Sequence, residues 1–199
     1  MSRPKIFFIG FNRCGTTSLH RLMARSGANS VHYRIRRGPK MAPRMFSNLS
    51  VGLPIMAGFE QFETYSDFNY MAAGMLLEAQ TLYPALYEEY PDSYFVLNTR
   101  NREKWLASRT HFAVREATML SYAQEVLDMS EPEVLALWTR QWDTHHSDVP
   151  AFFAARPKAR FMIFDIESQP IGDLDSFLAA DYTLQTEDWK WRNKGTHRG

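Results

Sequence analysis

Lys5-Ile6-Phe7-Phe8-Ile9 is apolar on both faces and stops at Gly10, as a short strand buried inside a parallel sheet would. From residue 16 to residue 26 the period lengthens. Leu19, Leu22 and Met23 recur at i, i+3 and i+4, with Gly27 as a stop, which predicts a helix. Residues 30–35 predict a second strand. A strand, a glycine-bearing turn, a helix and a strand, in that order, open a parallel α/β sheet. Residues 38–59 are broken by three prolines and three glycines and leave room for a short helix over 44–51. Residues 59–68 alternate loosely, as an irregular strand. The pattern then predicts a helix over 81–90, a strand over 94–99 and a helix from 102 to 109. Residues 115–153 read as helical, with a break at Ser130-Glu131-Pro132. There Ser130 can cap, Pro132 lies just inside, and Glu133 takes the capping-box position. A strand over 160–164 and a helix over 172–180 complete the set. With no repeat and no linker, residues 1–199 are expected to form a single α/β domain, a three-layer sandwich with a central, mostly parallel sheet.

Composition narrows the class. Apolar residues make up 45% and charged residues 23%, the profile of a globular chain rather than a disordered one. Ile6-Phe7-Phe8-Ile9 is far too short to cross a bilayer, and no small-residue cleavage site follows it. Stable membrane insertion is therefore not expected, and the cytoplasm is the predicted compartment. A lone Cys14 offers neither a disulfide nor a metal cluster. Net charge is only +1, yet residues 1–59 carry ten Arg or Lys and no acid before Glu60. The rest of the chain holds 13 basic and 22 acidic groups, a net of −9. Such a split predicts an anionic ligand near the first elements. Nucleic acid is not the expected partner, because the whole chain is not basic and carries no nucleic-acid-binding motif.

The chemistry concentrates in Gly10-Phe11-Asn12-Arg13-Cys14-Gly15-Thr16-Thr17-Ser18-Leu19. Two glycines five apart, between a buried strand and a helix, let the backbone curl so that successive amides face an anion. The following helix adds its positive end. In the ATP- and GTP-binding form of this loop a lysine follows the second glycine, but here that position is Thr16 and the fixed cation is Arg13. The loop suits a phosphate better than it suits triphosphate hydrolysis.

Arg13-Cys14-Gly15-Thr16-Thr17-Ser18-Leu19 resembles the 5′-phosphosulfate loop of sulfotransferases that use 3′-phosphoadenosine 5′-phosphosulfate (PAPS). A second match adds to it. In that family an arginine ending a strand, and a serine eight residues later, bind the donor's 3′-phosphate. Here Arg100 ends the strand over 94–99 and Ser108 lies at that spacing. Asn101-Arg102-Glu103-Lys104-Trp105 is similar to the family's Asp/Asn-Pro-x-x-Trp stretch, with Arg102 in place of proline. Lys194-Gly195 resembles a basic C-terminal element that closes over the nucleotide in many members. The resemblance implies a P-loop NTPase-like sulfotransferase fold and a donor held by Asn12, Arg13, Cys14, Gly15, Thr16, Thr17, Ser18, Arg100, Ser108, Lys194 and Gly195. It also implies release of 3′-phosphoadenosine 5′-phosphate (PAP), no metal, and a small-molecule or glycan acceptor.

Sulfuryl transfer requires charge stabilisation and a base. Arg13 is the candidate for the first role. Asp67 and His32, each following or within a predicted strand, are the candidates for the second. Two other functions stay open: a small-molecule or nucleoside kinase, with Asp165 as its magnesium ligand, and a non-catalytic nucleotide-binding protein. His145 and His146 are helical neighbours and cannot chelate one ion together. Trp138 and Trp142 read as core, and Trp105 as core or as a flank for adenine.

Overall fold

In the computed structural model, residues 3–114 and 117–189 are described. The strands are β1 (Ile6–Phe8), β2 (Ser30–His32), β3 (Thr64–Ser66), β4 (Asn69–Ala72), β5 (Met75–Glu78), β6 (Tyr94–Thr99), β7 (Ala113–Val114), β8 (Ala117–Thr118) and β9 (Arg160–Asp165). The helices are α1 (Thr16–Arg25), α2 (Met41–Ser50), α3 (Tyr83–Glu89), α4 (Arg102–Thr110), α5 (Met119–Leu127), α6 (Glu131–Ala154) and α7 (Ile171–Leu178). Five strands form one sheet in the order β2-β3-β1-β6-β9, parallel throughout. β4–β5 and β7–β8 are small antiparallel hairpins. The sheet grows from β1 first toward β2 and β3, then toward β6 and β9. The C-terminal end of β1 is thus a switch point, where α/β sheets open a crevice.

The two-residue period of the strands divides the core. Phe7, Ile9, Phe95 and Leu97 pack with Met41 and Met45 of α2, Leu86 of α3, and Val149 and Phe153 of α6. Ile6, Phe8, Tyr94 and Val96 turn the other way, onto Leu19, Leu22 and Met23 of α1 and Leu174 and Leu178 of α7. Helices therefore cover both faces, which gives the expected three layers. A third cluster, including Phe11, Cys14, Trp105, Trp138 and Trp142, packs α4, α5 and the first half of α6 against the loop leaving β1.

Several boundaries differ from the sequence expectation, each for a local reason. The strand over 30–35 stops at His32, because Tyr33 takes a φ of 63° and the Arg34 amide turns back to His32 O at 2.6 Å. The irregular strand over 59–68 contracts to β3 and is followed by the unpredicted β4–β5 hairpin. Its turn places Ala73 and Gly74 at φ 53° and 70°, as a two-residue turn requires. The helix expected from 115 begins at Met119, where Thr118 Oγ1 accepts the Ser121 amide at 3.1 Å. α2 starts at Met41 rather than 44, with Pro43 in a first turn that needs no amide. The break at Ser130 is as expected, with Glu133 Oε2 accepting the Ser130 amide at 2.8 Å. No helix among the described residues is long and apolar enough to cross a membrane.

Candidate active site

The loop from β1 to α1 is held open from outside. A Cβ on Gly10 would lie 1.9 Å from Asn98 O, so glycine alone lets the loop's first turn touch β6. Asn98, fully buried, clamps both ends. Its Oδ1 accepts the Gly10 amide at 2.9 Å, and its Nδ2 donates to Cys14 O at 2.8 Å. The neighbouring carbonyls are occupied as well. Trp105 Nε1 donates to Asn12 O at 3.0 Å, Arg100 Nη1 to Arg13 O at 3.2 Å and the Leu19 amide to Gly15 O at 3.0 Å. Phe11 O accepts the Cys14 amide at 3.3 Å. Every carbonyl from 11 to 15 thus has a donor, while the amides of Gly15, Thr16 and Thr17 have no acceptor among the described residues. Arg13 and Gly15 take left-handed dihedrals, φ 67° and 75°. No side chain caps α1 and no acid lies in its first turn. The result is a cradle of free N–H groups on a helix dipole, suited to an anion.

Truncating the clamp tests this account. Asn98→Ala leaves a buried carbonyl and a buried amide unpaired and is expected to destabilise the protein by about 1–3 kcal/mol. Chemical denaturation measures it, and an unchanged midpoint would remove Asn98 as the loop's support.

Arg13, Arg100 and Ser108 meet on the β6 side of the loop. Arg13 Nε donates to Ser108 Oγ at 3.0 Å, and its guanidinium lies 4.3 Å from the centre of the Phe112 ring. Burial, and secondarily the nearby Arg100, push the Arg13 pKa down from its ordinary value. Besides Arg13 O, Arg100 contacts Glu167, with Nη2 donating to Oε1 at 2.9 Å. Glu167 Oε2 also takes the Asn101 amide at 3.3 Å. Asn101 caps α4 by accepting the Lys104 amide at 3.0 Å, so the helix starts cleanly without the proline. Arg102, in that position, is exposed and pairs with Asp143 at 2.9 Å.

On the other side of Arg13, toward β3 and β2, opens a cleft of about 440 Å³ lined by Asn12, Thr16, Thr17, His32 and Asp67 among others. Asp67 follows β3 directly and takes φ 65°. Its Oδ1 is buried without a partner among the described residues, and its Oδ2 lies 3.4 Å from His32 Nε2. Burial pushes this carboxyl up to about 7, and Glu78 adds to the rise while Arg13 and Arg109 oppose it. His32 touches Ser66 Oγ through Nδ1 at 3.0 Å and Thr17 Oγ1 through Nε2 at 3.4 Å. Burial, then the charge of Arg21, lower it to about 4. At neutral pH, His32 is an uncharged hydrogen-bonding group, and its contact with Asp67 is not an ion pair. Asn12 Nδ2 donates to Met119 Sδ at 3.3 Å, leaving its buried Oδ1 unpartnered among the described residues.

The remaining candidates contribute in other ways or lie outside the described residues. The Cys14 thiol points into the core, where burial raises its pKa, so only its backbone belongs to the loop. Ser18 is buried in the first turn of α1. Lys194 and Gly195 lie outside the described residues. Asp165 caps its own turn by accepting the Glu167 amide at 2.8 Å. Trp105 packs between Phe11 and Trp142. His145 and His146 tie α6 to the sheet, one to Ile9 O and one to Thr99 Oγ1, each at 2.8 Å.

Four residues of the site were not identified from the sequence. Asn98 had a signal, as a polar residue directly after the apolar run Tyr94-Phe95-Val96-Leu97 and still within the predicted strand. Glu167 lies 67 positions from Arg100, and no local pattern marks it. The same holds for Arg109, 1% exposed, which pairs with Glu78 and packs over Trp105 and Trp138. Against this geometry, residues 5–162 match the family model described as a sulfotransferase domain. No curated protein matches the chain.

Proposed function

The chain belongs to the sulfotransferase domain family, and on that premise we propose that it transfers a sulfuryl group from PAPS to a hydroxyl or amine of a small-molecule or glycan acceptor. The observation that carries this reading is the convergence of Arg13, Arg100 and Ser108 beside one cradle of free amides. The amides of Gly15, Thr16 and Thr17, with the threonine hydroxyls, would hold the donor's 5′-phosphate. Arg100 and Ser108 would face its 3′-phosphate, which must then compete with Glu167 for the Arg100 guanidinium. Arg13 lies between the two sides and would take the charge that grows on the bridging oxygen as the sulfur–oxygen bond breaks.

Asp67 is the base in this proposal. It lies in the cleft that opens beyond Arg13, and its raised pKa suits proton transfer near neutrality. As the acceptor oxygen attacks sulfur, Asp67 takes its proton and the leaving electrons stay on the 5′-phosphate, against Arg13. His32 orients Asp67 and links it to Thr17 of the loop helix.

Thermal-shift titration decides the donor. At a hundredfold excess over Kd, PAP should raise the Tm by about 5–10 °C. A rise with ATP and magnesium, and none with PAP, would favour the kinase instead.

A further inference from the structure

β2 lies at the margin of the sheet, two strands from β1. The segment that follows is closed by its own backbone. Besides the bond from the Arg34 amide to His32 O, the Ile35 amide donates to Pro39 O at 3.1 Å and the Met41 amide to Tyr33 O at 2.9 Å. Tyr33, at φ 63°, takes a conformation that costs a non-glycine residue energy and is typical of functional sites. This closed loop carries Arg34 into the wall of the cleft, where its side chain is exposed and makes no ion pair among the described residues. Tyr33, Met71, Phe112 and Met119 give the same cleft an apolar wall. Of the described residues lining it, Asp67 alone is acidic.

The donor's charges are accounted for on the β1–β6 side, by Arg13, Arg100, Ser108 and the loop amides. Arg34 stands on the opposite side, beyond Asp67, and is surplus to that task. Arg36 and Arg37 follow it, both exposed, in a part of the chain with no acid before Glu60. Resting on the sulfuryl-transfer reading, we propose that the acceptor carries a fixed negative charge on an apolar frame, besides its accepting hydroxyl or amine, and that Arg34 binds that charge. Arg34 is thus a specificity residue: it holds the far end of the acceptor while Asp67 faces the near end.

Calorimetry with a panel of hydroxyaryl carboxylates and phosphonates, each paired with its neutral methyl ester, tests the assignment with and without PAP. The wild-type protein should bind the anion about five- to tenfold more tightly than the ester in each pair that binds. Arg34→Gln should remove that preference and Arg34→Glu reverse it, with PAP affinity unchanged in both. Absence of discrimination by charge across the panel, or a preference that survives in Arg34→Gln, overturns the proposal. Failure of wild-type protein to bind PAP defeats the donor assignment instead, and the acid–ester comparison remains readable without it.

Discussion

Arg13→Ala abolishes measurable turnover, a fall in kcat of at least about 10³-fold, while the variant still unfolds cooperatively near the wild-type midpoint. The size follows from where the charge sits. Arg13 is the one cation that belongs to the cradle itself, and its guanidinium is fixed by Ser108 on one side and Phe112 on the other. A fixed charge needs no reorganisation as the transition state forms, so its loss falls on kcat more than on PAP affinity. The fold should tolerate the change, because the loop is held by Asn98, Trp105 and Arg100 through backbone carbonyls, and Arg13 contributes only its own carbonyl to that set. Arg13→Lys separates charge from geometry. Lysine retains the cation but not the planar Nε donor to Ser108, so about a tenth or less of wild-type kcat is expected. Near-normal turnover in the alanine variant would take Arg13 out of the mechanism.

What could be read from the sequence tracks what is local. β1 and β6 are apolar on both faces because the sheet is covered on both, and a run of that kind announces itself. The cradle's signature is equally local: two glycines, a cation and two threonines within a few residues mark it. Arg100 and Ser108 lie on one strand end and the helix that follows it, about two turns along, and it is the resemblance to the sulfotransferase pattern, not spacing alone, that singles them out.

The supporting contacts are of another kind. Asn98 reaches from β6 to the loop after the neighbouring β1, 84 and 88 positions away, Glu167 comes from the loop after β9, and Glu78 lies 31 positions from Arg109. Each depends on strands coming together in three dimensions, which periodicity does not encode. The β4–β5 hairpin, which brings Glu78 inward, carries no turn signal in the sequence because its turn is Ala73-Gly74 rather than the usual asparagine- or aspartate-glycine. Arg34 was legible only as one basic residue among ten. Its special place depends on Tyr33 ending β2 early.

The second large effect is at Asp67, where function and stability should move in opposite directions. With a folded pKa of about 7, Asp67 ionises across neutral pH, so kcat/KM should rise through that range. Were His32 the base, the rise would fall near pH 4 instead. Asp67→Asn should lower kcat by about 10²–10⁴-fold and erase the limb near 7. Stability carries an independent reading of the same group. The unfolded carboxyl releases its proton near its ordinary pKa of about 3.9, whereas the folded one keeps it to about 7. Between those values the folded state binds more protons than the unfolded, so wild-type stability falls as pH climbs and the penalty is complete above 7. Asparagine never ionises and escapes it. Asp67→Asn should therefore match the wild type near pH 4 and exceed it at pH 8 by on the order of 4 kcal/mol. Melting curves across that interval check the sign, and a gap between the two proteins that does not widen with pH means the carboxyl is not buried as an acid. A less active but more stable variant is the pairing expected of a charge the fold tolerates for its chemistry alone.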